Sequence, residues 1–232
     1  RGPEQRCLPH RATVLIPMNL SYNTAHRAVP LFYLIRHAET DLNASRTIQW
    51  PHTPLNTQGQ WQANRLAAAL RDKHIGRIIS SDYLRARETA ECLSHGTAAQ
   101  LSIDVRLRER HFGTLRGESW PLSWKQFDTD DFEPPGGEGQ PNFQNRIKAA
   151  WESLEHHISQ AERSIAIVTH GLVCRTLAQN HLTWPDQSEP PRFSNTSITV
   201  IGGAAPWNVI EGPTDDHLKE DYQYATLCTH CP

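Results

Sequence analysis

The apolar positions of this chain recur in two rhythms. Leu31, Phe32, Tyr33, Leu34 and Ile35 form one unbroken run, and Ile165, Ala166, Ile167 and Val168 form another. Short continuous runs of this kind suit strands buried on both faces of a sheet. Both end abruptly in polar chemistry, the first at Arg36-His37 and the second at Thr169-His170. Elsewhere the rhythm is helical. Trp61, Leu66, Ala69 and Leu70 share a stripe on a helix that Thr57 caps, that runs to about Lys73, and that Gly76 stops. Phe143, Ile147, Ala150 and Leu154 share another over residues 142–160. Residues 83–93 predict a third helix, with Asp82 as cap and Gly96 as stop, and residues 172–181 a fourth. Weaker strand signals lie at residues 77–80, at residues 101–105 as an edge strand, and at residues 197–201, closed by Gly202-Gly203.

Strands alternating with helices predict an α/β fold, a three-layer α/β/α sandwich with a largely parallel central sheet. Residues 43–55 hold Pro51 and Pro54 and read as loop, as do residues 106–117. Residues 118–139 mix prolines, glycines, acids and aromatics, which predicts an irregular lid with one short helix near Trp124. Residues 29–212 are expected to form the domain, with residues 1–28 an extension and residues 213–232 a polar, poorly packed tail. Open α/β sheets bind ligands beyond the carboxyl ends of their strands. Such a sheet brings His37 and His170 together despite their separation in sequence.

Composition narrows the function classes. A net charge of -2 leaves no electrostatic footprint for nucleic acid. No apolar run approaches the roughly 18 residues of a spanning helix, so no membrane partner is expected. The cysteines Cys7, Cys92, Cys174, Cys228 and Cys231 are odd in number and scattered, which points to a reducing, cytoplasmic setting. Thirteen histidines keep metal binding in view. Cys228 and Cys231 have C-x-x-C spacing, but a zinc site takes about four ligands and no second pair exists. No His-x-x-x-His spacing occurs either. Neither a metal nor a cofactor is expected.

The end of the first strand is a natural anion site. Arg36 forks onto phosphate oxygens, and Thr40, Asp41 and Asn43 supply helix-start chemistry just beyond. An isolated Arg-His pair is equally an ordinary surface feature. The wider pattern separates the two. It comprises Arg36-His37-Ala38-Glu39-Thr40 with Asn43, then Pro54-Leu55-Asn56-Thr57-Gln58-Gly59, then Ser80-Ser81-Asp82-Tyr83-Leu84-Arg85-Ala86-Arg87-Glu88-Thr89-Ala90. It continues in Leu107-Arg108-Glu109-Arg110-His111-Phe112-Gly113, Pro135-Gly136-Gly137-Glu138 and Val168-Thr169-His170-Gly171.

With these motifs in this order the chain resembles the histidine phosphatase superfamily, in the branch of cofactor-dependent phosphoglycerate mutase and its phosphatase relatives. The resemblance covers about residues 31–201. It implies a phosphoglycerate mutase-like fold in which His37 is the nucleophile and becomes phosphorylated. A neutral imidazole, with an ordinary pKa of about 6.5, is a competent nucleophile near neutral pH. The resemblance also implies that Arg36, Arg85 and His170 hold the phosphoryl oxygens, that Asn43 lies at the pocket edge, and that Glu109 is the proton donor. Arg85 is preferred to its neighbour Arg87 because it directly precedes Ala86 in the matched motif. Gln49, Trp50, Phe112 and Gly171 are expected to line the substrate pocket. His74, His95, His156, His157 and His181 match no motif and read as surface or helix positions.

Two residues depart from the pattern. Ala38 stands where glycine commonly follows Arg-His, and its methyl should fit a helical backbone. Trp50 stands where relatives usually carry glycine, which alters a pocket wall. The implied activity is metal-independent hydrolysis of a small phosphorylated metabolite, a phosphomonoester, with a 2,3-bisphosphoglycerate-dependent phosphoglycerate mutase as the alternative. A catalytically silent binding module is disfavoured because nucleophile, clamps and acid are all present. Residues 118–133 carry one cation, Lys125, against Glu118, Asp128, Asp130, Asp131 and Glu133. A lid of that sign is expected to repel a bisphosphoglycerate, which favours hydrolysis.

Overall fold

Alternate residues of β1 (Phe32–Arg36) leave the sheet on opposite faces. Phe32 and Leu34 join one buried apolar cluster, while Tyr33 and Ile35 join another. The run is continuously apolar because both faces are covered. The computed structural model describes residues 30–120, 129, 131–185, 191–202 and 205–219. Within them the further strands are β2 (Ile75–Ser80), β3 (Gln100–Ile103), β4 (Ser164–Thr169), β5 (Leu182–Thr183), β6 (Ile198–Gly202) and β7 (Trp207–Thr214). The helices are α1 (Asp41–Ala44), α2 (Thr57–Leu70), α3 (Leu84–Thr97), α4 (Gln140–Ser159) and α5 (Gly171–His181).

The seven strands lie in the order β3-β2-β4-β1-β6-β7-β5. β3, β2, β4 and β1 are mutually parallel, β6 runs antiparallel to both β1 and β7, and β5 is parallel to β7. The sheet is therefore mixed but mostly parallel. α4 and α5 cover the Phe32 face through Phe143, Ile147, Leu154, Val173 and Leu177. α2 and α3 cover the Tyr33 face through Leu66, Leu70, Ala90 and Leu93. Three layers result, and each fully buried large side chain contributes about 1.5–3 kcal/mol. The register between β1 and β4 pairs Ile35 with Val168 and Arg36 with Thr169. His37 and His170 thus leave adjacent parallel strands at the same height.

Several predicted boundaries move for physical reasons. Asn56, not Thr57, caps α2, its Oδ1 accepting the Gly59 N–H at 2.7 Å. The buried face of α2 is Gln62, Ala63, Leu66, Ala67 and Leu70, whereas Trp61 is half-buried and Ala69 exposed. Gly76 lies inside β2. Asp82 does not cap α3, because its carboxylate is held by Arg108 Nε at 2.7 Å. Gly96 does not stop α3 but lets it approach α2, since a β-carbon there would come within 2.8 Å of Ala67 Cβ. β7 was hidden by its Gly212-Pro213 pair and crosses the expected domain boundary at residue 212. The 3-10 turn Asp216–Leu218 also packs on the domain, Arg65 Nε donating to the His217 carbonyl at 3.1 Å. Residues 213–219 therefore belong to the fold. The N-terminal extension, the helix expected near Trp124, and Cys228 with Cys231 lie outside the described residues.

Candidate active site

β1 ends by placing His37 beyond the sheet, 2% exposed. Its Nδ1 lies 2.7 Å from the Ala38 carbonyl, which assigns the ring proton to Nδ1. Arg85 Nε donates to His37 Nε2 at 3.2 Å, so Nε2 is the lone-pair nitrogen. Burial first, then the nearby Arg85 and Arg36 cations, hold the imidazole well below its ordinary pKa of 6.5. The ring is neutral at physiological pH.

The motifs around His37 are its scaffold. Ala38 N–H donates to Thr89 Oγ1 at 3.0 Å, and that hydroxyl donates to the Arg85 carbonyl at 2.7 Å. The Ala38 methyl fits, but not because its backbone is helical: α1 begins only at Asp41, and the methyl fills a niche against Leu55 and Ala63. Glu39 N–H donates to Gln62 Oε1 at 2.9 Å, and the Glu39 carbonyl accepts from Asn56 N–H at 3.1 Å. Gly59 must be glycine, because a β-carbon there would lie 2.0 Å from the Glu39 carbonyl oxygen.

Three buried polar nitrogens around His37 have no hydrogen-bond partner among the described residues: Arg36 Nε, Asn43 Nδ2 and His170 Nδ1. Arg36 Nη1 is anchored on the Phe193 carbonyl at 2.7 Å. Asn43 sits in a capping box with Thr40, its Oδ1 accepting from Thr40 N–H at 3.3 Å. His170 follows β4 at the N-cap position of α5; its Nε2 lies 2.9 Å from Ser81 Oγ, and that oxygen accepts the Tyr83 N–H at 3.2 Å. The network assigns the Ser81 proton to His170 Nε2, leaving Nδ1 as a donor. The rings of His37 and His170 are 5.1 Å apart. An unsatisfied buried donor costs about 1–3 kcal/mol, so three at one place mark an anion site. Burial lowers the Arg36 pKa and brings that of Arg85 to about 10. Arg87 stands outside, exposed and paired with Glu91 at 3.4 Å.

The anion site is built from side chains rather than from the α1 amides. α1 is a single turn, and its Asn43 N–H is taken by Thr40 Oγ1 at 3.0 Å. The helix amide that does meet a carboxylate is Leu172 N–H of α5, 3.2 Å from Glu109 Oε2. Arg110 N–H holds the other oxygen, Oε1, at 3.0 Å. The flanking arginines are engaged elsewhere, Arg106 with Asp104 and Arg108 with Asp82. Burial raises the Glu109 pKa above its ordinary 4.5, and the two backbone donors with Arg85 and Arg36 oppose that rise.

A cavity of about 660 Å³ opens on these groups, and Arg36, His37, Asn43, Arg85 and Glu109 all line it. Gln49, Phe112 and Gly171 line it too. Trp50 does not contribute its ring to that lining: its carbonyl accepts from Arg85 Nη1 at 3.0 Å, while the ring lies over Gly117 and is 38% exposed. The charge of the cavity is opposite to that expected from the lid. Six arginines, Arg36, Arg46, Arg85, Arg110, Arg175 and Arg192, face one carboxylate, Glu109, among the described lining residues. Of the acids counted in residues 118–133, Asp128 and Asp130 lie outside the described residues, and none of the others lines the cavity. Among the described residues no three His, Cys, Asp or Glu side chains form a metal-ligating group, and no helix is long and apolar enough to cross a membrane.

Asn195 was not anticipated. Its Nδ2 donates to the His37 carbonyl at 2.9 Å and to Asn43 Oδ1 at 3.3 Å. One side-chain amide thus fixes the His37 backbone and turns the Asn43 amide nitrogen free. Its sequence signal, one polar residue before a β-branched strand, is indistinguishable from turn chemistry.

The sequence model of the histidine phosphatase superfamily (branch 1) matches residues 32–215. The chain belongs to the histidine phosphatase superfamily. It is 34% identical over 181 residues to a probable phosphoglycerate mutase, GpmB, of Escherichia coli, covering 73% of this chain and 83% of that protein. The solved structure of YhfR from Bacillus stearothermophilus is 29% identical, with a TM-score of 0.68, over 82% of this chain and 99% of that one. A mycobacterial glucosyl-3-phosphoglycerate phosphatase in complex with VO3 is 24% identical, with a TM-score of 0.66, over 79% of this chain and 98% of that one, and speaks for the fold. As a histidine phosphatase the chain is a phosphoric monoester hydrolase, in a superfamily that also holds mutases.

Proposed function

We propose that this histidine phosphatase hydrolyses a small phosphorylated metabolite through a phosphohistidine at His37, without a metal ion. The observation that carries the reading is the convergence of Arg36 Nε, Asn43 Nδ2 and His170 Nδ1, buried and unpartnered, around a neutral His37. The phosphoryl oxygens of a monoester would occupy those donors and Arg85. His37 Nε2 attacks phosphorus as the ester P–O bond breaks, and Glu109 protonates the departing oxygen. The Ala38 carbonyl holds the Nδ1 proton, so the phosphorylated ring carries its positive charge against an acceptor. Water then attacks phosphorus, Glu109 takes the water proton, and inorganic phosphate leaves with His37 restored. The cations stabilise the charge of the transferring group throughout.

Rapid quench with a labelled phosphomonoester should trap acid-labile, base-stable label, and turnover should persist in chelator. Label retained by His37→Ala would overturn the assignment. A second reading, transfer back to a phosphoglycerate, is favoured by the arginine-rich cavity and by the names of the relatives. Mutase turnover that exceeds phosphate release and needs priming by 2,3-bisphosphoglycerate would establish that reading instead.

A further inference from the structure

The backbone of Arg36 and His37 rests on a loop that is itself held from behind. Besides Asn195, residues 193–197 meet it at three places. The Phe193 carbonyl accepts from Arg36 Nη1 at 2.7 Å, and the Ser197 carbonyl accepts from Arg36 N–H at 3.4 Å. Thr196 N–H is shared between the Arg36 carbonyl at 3.1 Å and the His37 carbonyl at 3.4 Å.

Thr196 makes this contact in an unfavourable conformation. Its φ is 55°, in the left-handed region, where a β-branched residue is an outlier, and its side chain is fully buried. Such strain persists only where the surroundings over-determine it. Here the hydroxyl is fixed on both sides. Thr196 Oγ1 donates to the Asn195 carbonyl at 2.8 Å, which uses its one proton, so His217 Nε2, 3.1 Å away, is the donor to that oxygen. His217 Nδ1 is then a bare lone pair, buried without a hydrogen-bond partner among the described residues. Burial above all lowers the pKa of the ring from 6.5, against the pull of Asp215, so it is neutral near pH 7.

A second strut stands beside the first. Ser194 Oγ donates to Asp215 Oδ2 at 2.9 Å. Asp215 is the N-cap of the 3-10 turn Asp216–Leu218 that carries His217, and Arg65 of α2 grips that turn through the His217 carbonyl. The loop is thus clasped between β1 on one side and a turn anchored to α2 on the other. His217 does not line the cavity.

Resting on the phosphatase reading above, we infer that His217 is a positioning residue for the reaction: through the Thr196 hydroxyl it locks the loop whose N–H groups hold the Arg36 and His37 carbonyls, and so sets the aim of His37 Nε2 at phosphorus. It touches neither the substrate nor the reacting atoms.

The test is rapid quench of the full chain with saturating labelled nitrophenyl phosphate. The first-order rate constant for label uptake by His37 does not depend on how much of a sample is folded. His217→Ala should lower it about tenfold, and His217→Gln, whose amide nitrogen takes the place of Nε2, should bring it back to within about threefold of the wild type. In a Thr196→Gly background, where the hydroxyl is gone and the left-handed backbone is no longer strained, His217→Ala should cost less than about twofold. Ser194→Ala removes the other strut without touching the buried ring and should act in the same direction as His217→Ala. Hydrogen exchange gives a readout without turnover: the Thr196 amide should exchange about tenfold faster in His217→Ala. An unchanged rate constant in both His217→Ala and Ser194→Ala, a His217→Ala loss that is equal with Thr196 and with glycine, or an unchanged Thr196 exchange rate overturns the inference. Those outcomes, met in a wild type that forms phosphohistidine, strike the inference alone; a wild type that forms none overturns the catalytic reading and the inference with it.

Discussion

Arg85 Nε and His37 Nε2 are 3.2 Å apart, and the arginine is the donor. A protonated imidazole would turn an N–H toward a guanidinium N–H, so the contact is compatible only with a neutral ring. In the proposed mechanism nucleophile and clamp are one electrostatic unit: the cation that would receive the phosphoryl group also helps burial keep the attacking nitrogen unprotonated.

The first consequence is a pH dependence. His37 and His170 are both held well below 6.5, chiefly by burial and then by Arg85. As pH falls through about 6.5 the unfolded chain takes up protons that the folded chain refuses, so stability declines from there downward and is fully present above. Urea midpoints should drop between about pH 7 and about pH 5.5, and nitrogen-15 spectra should show the His37 ring neutral at the lower end. In Arg85→Gln the His37 titration should move up toward the ordinary value. A ring that titrates near 6.5 in the wild type would contradict the assignment.

Glu109 makes a different prediction, about leaving groups. Its raised pKa suits a carboxyl that must give a proton to an alkoxide. Glu109→Gln should cut kcat/KM for an alkyl phosphate by roughly 10²–10⁴, the usual range for general acid catalysis. A nitrophenyl phosphate, whose leaving group needs no proton, should lose far less. If both esters lose equally, Glu109 is not the proton donor.

Asn195 should behave as a positioning residue. It touches no cavity surface itself but holds the His37 carbonyl and Asn43 Oδ1 together. Asn195→Ala and Asn43→Ala should each lower kcat/KM by about tenfold, mainly in kcat. The double variant should be little worse than either single one, because residues in one hydrogen-bond network couple by about 0.5–3 kcal/mol. Fully additive losses would separate the two residues.

What was legible in the sequence follows from how local each signal is. β1 and β4 announced themselves because five or six consecutive residues are buried on both faces, and the histidines that follow them were visible as breaks in apolar runs. Arg85 could be told from Arg87 only through a matched motif; the structure gives the physical difference, 2% exposure against a solvent-facing pair with Glu91. Gly96 and Asp82 misled because long-range partners, Ala67 and Arg108, override local cap and stop chemistry. Asn195 could not be found locally, since it acts from a loop on residues assembled by the fold. The acidic lid segment misled for the same reason: net charge along the chain is not the charge of the wall that faces the substrate.

The last prediction concerns the turn that links Glu109 to residues 135–138. Gly113 has φ +54°, and a β-carbon there would stand 2.0 Å from the Pro135 carbonyl and 2.8 Å from Gly136 C. The same region is stitched by Thr114 N–H to the Pro135 carbonyl at 3.0 Å and by Glu138 N–H to the His111 carbonyl at 2.7 Å. The Glu138 carboxylate in turn holds Arg146 Nε on α4 at 2.8 Å. Gly113→Ala must therefore push residues 135–137 away as well as strain its own backbone. Overpacking and left-handed strain each cost about 1–3 kcal/mol, so a stability loss of at least about 2 kcal/mol is expected in urea unfolding. Because Glu109 sits on the same connection, the surviving folded enzyme should also lose turnover on alkyl phosphates more than on a nitrophenyl ester. A variant as stable as the wild type, with the same ratio between the two esters, would show that the turn neither needs glycine nor positions the acid.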